Sequence, residues 1–310
     1  MSAGMRGITV LRMKAFMLAA ASILCCGCGR NSDAVPENTA LDSSTGGTDK
    51  RIVCGSPAVA EIVFALGCGD RVVGVSDYTV YPPEAKEKQS IGGWINPNRE
   101  RLLMMEPDII ISQGKHETLA SFCDEYGILF HAVKLDCLED IYSAVQSIAE
   151  NLCVTDRGKK LNARVRSEIA AVRARTAGFP SKRVFLLMGR SPGSLARLST
   201  VGPDTFLDEM IRMGGGTNIF ADAKGLYPRI SKESLLVRRP EVILEIYPGE
   251  IDGETIDLLM ADWNELADLP AVRNNRIHCL TNNFLMIPGP RAGLIARKLA
   301  RTITPEAYSE

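Results

Sequence analysis

The sequence predicts an α/β fold: two Rossmann-like lobes joined by one long α-helix, with a ligand cleft between the lobes. Three observations predict it. Fully apolar, strand-length runs alternate with helical stretches, the pattern of a parallel sheet covered on both faces. One long amphipathic stretch, Thr155 to Thr176, divides the folded part of the chain. A block also recurs: residues 100–111 read ERLLMMEPDIII and residues 233–244 read ESLLVRRPEVIL, offset by 133 residues without a gap.

The first 27 residues read as a signal peptide. Arg6, Arg12 and Lys14 precede an apolar run, Ala15 to Leu24, which ends in Cys25-Cys26-Gly27-Cys28. The run is shorter than the roughly 20 apolar residues that span a bilayer. A Cys directly after the cut resembles a bacterial lipobox, in which that Cys is acylated and anchors the chain to the membrane. Gly27 makes Cys28 the favoured anchor, with Cys26 as the alternative because Cys25 occupies the usual Leu position. Residues 28–50 are polar and without apolar period, so they read as a flexible tether.

The folded body then begins near Arg51. In the N-terminal lobe (51–152), RIVCG (51–55) and RVVGV (71–75) read as strands around a helix from Pro57 to Gly67. DIIIS (108–112) precedes a helix ending near Tyr126, followed by the strand ILFHAV (128–133) and a helix over Leu138–Leu152. The linking segment (153–180) carries Leu161, Val165, Ile169 and Val172 as one narrow stripe, and Gly178 and Pro180 stop it. In the C-terminal lobe (181–310), RVFLLMG (183–189), EVILEI (241–246) and RIHCL (276–280) are strands. PDTFLDEMIRM (203–213) is a helix closed by Gly214-Gly215-Gly216, and Pro290 to Thr302 is the last helix.

Charge and motifs narrow the function. There are 36 Lys and Arg against 37 Asp and Glu; without the signal the balance is 33 against 37, a net −4. That leaves no basic field to hold a nucleic-acid backbone, so nucleic acid is not an expected partner. Cys54, Cys68, Cys123, Cys137, Cys153 and Cys279 are spread singly, without zinc spacing. Cys54 is expected to be buried, and one bridge among the others stays open. His131 and His278 lie in strand patterns; His116, in a loop, is the candidate haem ligand. No GxSxG, P-loop or Cys/His pairing is present, so no enzyme, no catalytic residue and no resident metal or cofactor is expected.

Several blocks carry a resemblance. RIVCGSPAVAEIVFALGCGDRVVGVSDYTVYPPEAK and IGGWINPNRERLLMMEPDIII resemble the N-lobe of class III bacterial substrate-binding proteins. GPDTFLDEMIRMGGGTNIF, YPRISKESLLVRRPEVILEI and Gly289-Pro290-Arg291 resemble its C-lobe. The resemblance implies a monomeric receptor of an ABC importer, which captures a cobalamin, ferric siderophore or haem and delivers it to a permease dimer. It also implies little closure between lobes, and a docking role for Glu100 and Glu233, which would meet one arginine on each permease subunit. On their own, both glutamates sit in a helix first turn, where the dipole favours a carboxylate.

The ligand site is expected at the carboxyl ends of the strands, between the lobes. Tyr78, Tyr81, Trp94 and Tyr227 stand in Gly/Pro-rich polar loops, and Phe284 and Arg291 flank the last strand-to-helix turn. Flat rings suit a planar macrocycle, and Arg291 suits a carboxylate, phosphate or amide. By resemblance to the cobalamin receptors, Tyr78, Trp94 and Tyr227 fall on macrocycle-contacting positions. Gln113 stands where that group often carries a Trp.

Overall fold

The computed structural model describes residues 49–196 and 198–309. The predicted signal, most of the tether, and Cys26 and Cys28 lie outside the described residues. The first lobe runs β1 (Ile52–Cys54), α1 (Pro57–Ala65), β2 (Val72–Val75), β3 (Gln89–Ser90), α2 (Arg99–Met104), β4 (Ile109–Gln113), α3 (Glu117–Tyr126), β5 (Leu129–Val133) and α4 (Leu138–Asn151). Its five strands are parallel, in the order β3-β2-β1-β4-β5. Helices cover both faces, and β1 and β4 are accordingly apolar on both sides: Ile52, Val53, Ile109 and Ile110 are all buried.

The chain then crosses on α5 (Thr155–Thr176). The second lobe runs β6 (Lys182–Met188), β7 (Leu198–Ser199), α6 (Phe206–Met213), β8 (Gly216–Asn218), β9 (Arg229–Ile230), α7 (Lys232–Arg238), β10 (Val242–Ile246), α8 (Gly253–Asp262), α9 (Pro270–Arg273), β11 (Ile277–Leu280) and α10 (Ala292–Ile303). Its main sheet is parallel, in the order β11-β10-β6-β8, and β7 and β9 form a small antiparallel ribbon. The first strand in each lobe is therefore flanked by the strand of the repeated block on one side, β4 or β10, and by β2 or β8 on the other. The predicted α/β fold with two parallel sheets is the one observed.

The stripe on α5 is buried as predicted, with Gly158 and Thr176 extending it. A Cβ at Gly158 would lie 2.6 Å from the Cβ of Ala149, so α4 and α5 touch closely there. At the other end the Thr176 hydroxyl donates to the Met213 carbonyl at 2.9 Å. One apolar core runs from α1 and α4 past α5 to α6 and α10. Each of Leu161, Val165 and Ile169 contributes roughly 1.5–3 kcal/mol by its burial. A core continuous through the waist opposes bending between the lobes, because packed interiors deform little.

The Gly214–Gly216 run does more than stop α6. Gly216 opens β8, and a Cβ there would stand 2.6 Å from Val184, so glycine lets this strand lie against β6. Among the described residues all six cysteines are free, so the bridge left open by the sequence is not formed. Cys54 is buried, and that burial pushes its thiol pKa up.

The repeated block has a repeated anchor. Glu106 and Arg239, each just before the block's Pro, have φ of 44° and 47°. Arg51 Nε donates to the Glu106 carbonyl at 3.1 Å, and Arg183 Nε donates to the Arg239 carbonyl at 3.0 Å. The backbone N–H of Arg51 donates to Asp108 at 2.6 Å, and that of Arg183 to Glu241 at 2.9 Å. In both lobes, then, an arginine opening the first strand holds the end of the glutamate-bearing helix.

Candidate ligand cleft and docking rim

The carboxyl ends of the two sheets face one another. Four contacts join them, each made by a segment that follows a strand's carboxyl end. The Phe206 N–H donates to the Asp136 carbonyl at 2.5 Å, and the Leu138 N–H to Glu209 at 2.6 Å. Glu61 on α1 pairs with Arg291, 230 residues away, and Gly289 lies against the Ala58 carbonyl. Open α/β sheets bind ligands outside the carboxyl ends of their strands.

Exposed aromatics stand at these ends. Tyr78 follows β2, and Trp94 sits in a tight loop after β3 that is closed by the pairing of Gly92 with Pro97. Gly92 has φ of 93°, and a Cβ there would meet the Asn96 carbonyl at 3.1 Å, so glycine sets the loop. Trp94 is 46% exposed, with its ring edge-on to His116 at 5.7 Å. His116 caps α3: its Nδ1 accepts from the Leu119 N–H at 3.2 Å, so Nε2 carries the proton and donates to the Trp94 carbonyl. Both ring nitrogens are thereby engaged, and neither is turned outward as an axial haem ligand would be. Gln113, half-buried, is the last residue of β4.

Tyr227 comes from the other lobe and is also 46% exposed. Its loop is pinned where the Gly202 N–H donates to the Leu226 carbonyl at 2.8 Å and the Thr200 N–H to the Pro228 carbonyl at 3.1 Å. A Cβ on Gly202 would come within 2.1 Å of the Gly225 carbonyl oxygen. Partial burial, with the Asp136 carboxylate nearby, raises the Tyr227 phenol pKa and keeps it a neutral hydrogen-bond donor.

Tyr81, Phe284 and Arg291 are brought together, but around a different partner from the one expected. Arg291 Nε donates to Glu61 Oε2 at 2.8 Å, and Nη2 donates to Oε1. The guanidinium lies 4.0 Å from the Tyr81 ring centroid and 5.3 Å from that of Phe284. Glu61 is buried, and burial raises its carboxyl pKa against the pull of Arg291. The structure thus turns Arg291 into an inter-lobe strut with its fork occupied. A groove of about 890 Å³ opens beside this strut, between α1, α5 and α10. It follows the carboxyl-terminal half of α1, and neither Trp94 nor Tyr227 lines it, so the aromatic loops define the better candidate site.

Sequence reasoning missed a charged cluster under the second lobe's loops. The Glu245 carboxylate on β10 is fully buried and accepts from Trp263 Nε1 at 2.6 Å, Arg190 Nε at 3.0 Å and the Tyr247 hydroxyl at 3.1 Å. Arg190 also reaches Asp262 and the Leu259 carbonyl. Burial raises the pKa of Glu245 and also that of Tyr247, which the carboxylate beside it lifts further. The one available signal was an acid inside the otherwise apolar run EVILEI.

Comparison with known proteins gives this geometry a family. The pattern described as periplasmic binding protein matches residues 52–283, most of the chain. The chain belongs to that family. It is 27% identical over 244 residues to a vitamin B12-binding protein of Vibrio parahaemolyticus, covering 78% of this chain and 85% of that protein. Among solved structures it resembles the periplasmic vitamin B12-binding protein of Vibrio cholerae, with a TM-score of 0.69 and 26% identity, over 85% and 99% of the two chains. It equally resembles the apo periplasmic haem-binding protein of Roseiflexus sp. RS-1, with a TM-score of 0.69 and 28% identity, over 84% and 99%.

On this binding protein Glu100 and Glu233 occupy the same second position of α2 and α7, and both are exposed. The cation before each is taken by its own lobe: Arg99 pairs with Glu125, and Lys232 with Glu265. Neither Glu100 nor Glu233 has an ion-pair partner among the described residues. A hydrogen bond from Ser231 holds the Glu233 carboxyl below its usual range, so it is ionised at neutral pH.

Proposed function

We propose that this protein is the lipid-anchored receptor of an ABC importer, which captures a corrinoid and delivers it to a membrane permease. The observation that carries the ligand class is the set of exposed rings at facing carboxyl ends, Tyr78 and Trp94 from one lobe and Tyr227 from the other. Flat rings presented from two sides offer stacking area to a large planar macrocycle at little ordering cost. The vitamin B12-binding relatives support a corrinoid over a ferric siderophore. His116, with both nitrogens engaged, favours a corrinoid over haem as well. Gln113 supplies an amide suited to the amide side chains around a corrin ring. Delivery rests on the exposed Glu100 and Glu233, and anchoring rests on Cys28, with Cys26 as its alternative.

Titration of the purified protein with cobalamin, cobinamide, haemin and a ferric hydroxamate siderophore tests the ligand. A corrinoid should bind and be recovered unchanged. Trp94→Ala should weaken that binding by about tenfold, roughly 1.4 kcal/mol, and leave the melting temperature nearly unmoved. Haemin binding without corrinoid binding would transfer the reading to a haem receptor. A large loss of melting temperature would make Trp94 part of the fold and misplace the site.

A further inference from the structure

The repeat exposes apolar side chains at the same two positions of both lobes. Leu103 and Met104 on α2 are 40% and 77% exposed, and Leu236 and Val237 on α7 are 43% and 83% exposed. Each pair follows its glutamate by three and four residues, so one carboxylate and two apolar side chains share a helix face. A lone exposed Leu needs no explanation. Here two are matched across lobes whose sequences elsewhere have diverged, beside carboxylates that have no ion-pair partner among the described residues. The fold does not ask for them: Leu102 and Leu235 supply the buried anchor of each helix.

We propose that each lobe presents a two-part docking surface, a carboxylate and an apolar pair, to a partner that carries the matching socket twice. That partner is a two-fold dimer of one membrane subunit, each copy offering a cation beside an apolar recess. The proposal rests on the docking reading of Glu100 and Glu233, and adds to it the side chains that hold the complex once formed. The division of labour follows from physics. Exposed carboxylates steer encounter and are screened by salt, whereas desolvated apolar contacts act mainly on dissociation and are not. The equivalence of the two surfaces is set by the arginine anchors at Glu106 and Arg239, which end both helices in the same way.

The test uses the full chain in its native cell, with Arg101 or Ser234 replaced by the photo-crosslinker p-benzoylphenylalanine. Both residues lie next to the patches, one per lobe. Each position should capture the same integral membrane polypeptide. With Leu103→Ser, Met104→Ser, Leu236→Ser and Val237→Ser combined, capture should fall by about tenfold at low salt and at about 0.5 M salt alike. With Glu100→Ala and Glu233→Ala, the loss should be large at low salt and small at high salt. The serine sites are exposed, and an unchanged melting temperature checks that the variant folds. Undiminished capture by the serine variant, with loss in the glutamate variant, would overturn the apolar part and leave docking intact. Capture of different polypeptides by the two lobes would overturn the two-fold partner. No membrane protein captured from either position would overturn the docking reading, and this inference with it.

Discussion

In the first lobe the strand position before Gln113 holds Ser112, buried and small; in the second lobe the matching position of the repeat holds the buried carboxylate of Glu245. Six to twelve residues upstream the two lobes are nearly the same. Both have an exposed glutamate, an exposed apolar pair, a left-handed residue before proline and an arginine holding it. The likeness therefore lies along the outer helices and the divergence lies at the carboxyl ends of the strands, where the lobes face each other. A symmetric partner would require two equal rims. A chelate with two different faces would require two different floors: Gln113 and Trp94 on one side, and loops braced by Arg190 and Glu245 on the other.

The largest expected effect breaks the floor of the second lobe alone. Glu245→Ala removes the acceptor for Trp263, Tyr247 and Arg190, whose side chain is only 3% exposed. Arg190 keeps Asp262, but the buried Trp263 N–H loses its acceptor and the cavity adds to the loss, at a cost of about 1–3 kcal/mol for the unsatisfied donor. Ser112→Ala removes only a weak hydroxyl contact to the Gln113 carbonyl at 3.5 Å and should cost below about 1 kcal/mol. Urea denaturation of both variants measures this. Equal costs would mean that the two floors are equivalent, and the contrast between them would fall.

How much of this could be read from the sequence follows from the range of each interaction. Apolar runs such as DIIIS and ILFHAV declared β4 and β5, and the stripe from Leu161 to Val172 placed α5, because burial patterns are local. The matched positions of Glu100 and Glu233 were legible because the repeat is gapless. β3, β7, β8 and β9, of two or three residues, are too short to carry any period. Glu61 and Arg291 are separated by 230 residues, and Arg190 and Glu245 by 55, so only the tertiary fold brings each pair together. For that reason Arg291 read as a ligand contact, and nothing in its surroundings pointed to Glu61.

A smaller effect tests the edges of the two sheets, where the lobes should again behave alike. β5 and β11 each carry a histidine, His131 and His278, and burial lowers the pKa of both below 6.5. For His278 the neighbouring Arg276 adds to the shift, and its Nε2 is buried without a partner. Between the folded value and 6.5 the unfolded chain binds the proton and the folded chain does not. Stability is therefore constant above that window and falls as the pH drops through it. The slope is at most about 1.4 kcal/mol per pH unit for each ring, and water reaching these half-buried rings reduces it. Melting curves between pH 7.5 and 5.5 should show the decline, and His131→Gln and His278→Gln should each remove part of it. A decline carried by one histidine alone would make the sheet edges as different as the floors.

The smallest effect sharpens the comparison at the rim itself. Glu106 and Arg239 hold φ of 44° and 47°, a left-handed conformation that costs a residue with a Cβ about 1–2 kcal/mol. Replacing either by glycine removes that cost but loosens the unfolded chain, which takes back about 0.4–1 kcal/mol. The net expectation is a gain of about 0.5 kcal/mol for Glu106→Gly, and the same for Arg239→Gly, since glycine is favoured just past a helix end. The contacts that hold both turns survive the change, because Arg51 and Arg183 bind the backbone carbonyls and not the side chains. Denaturant midpoints of the two variants should therefore shift upward together. If one rises and the other falls, the falling side chain holds something its counterpart does not, and the two rims are not the equal surfaces that a symmetric partner would need.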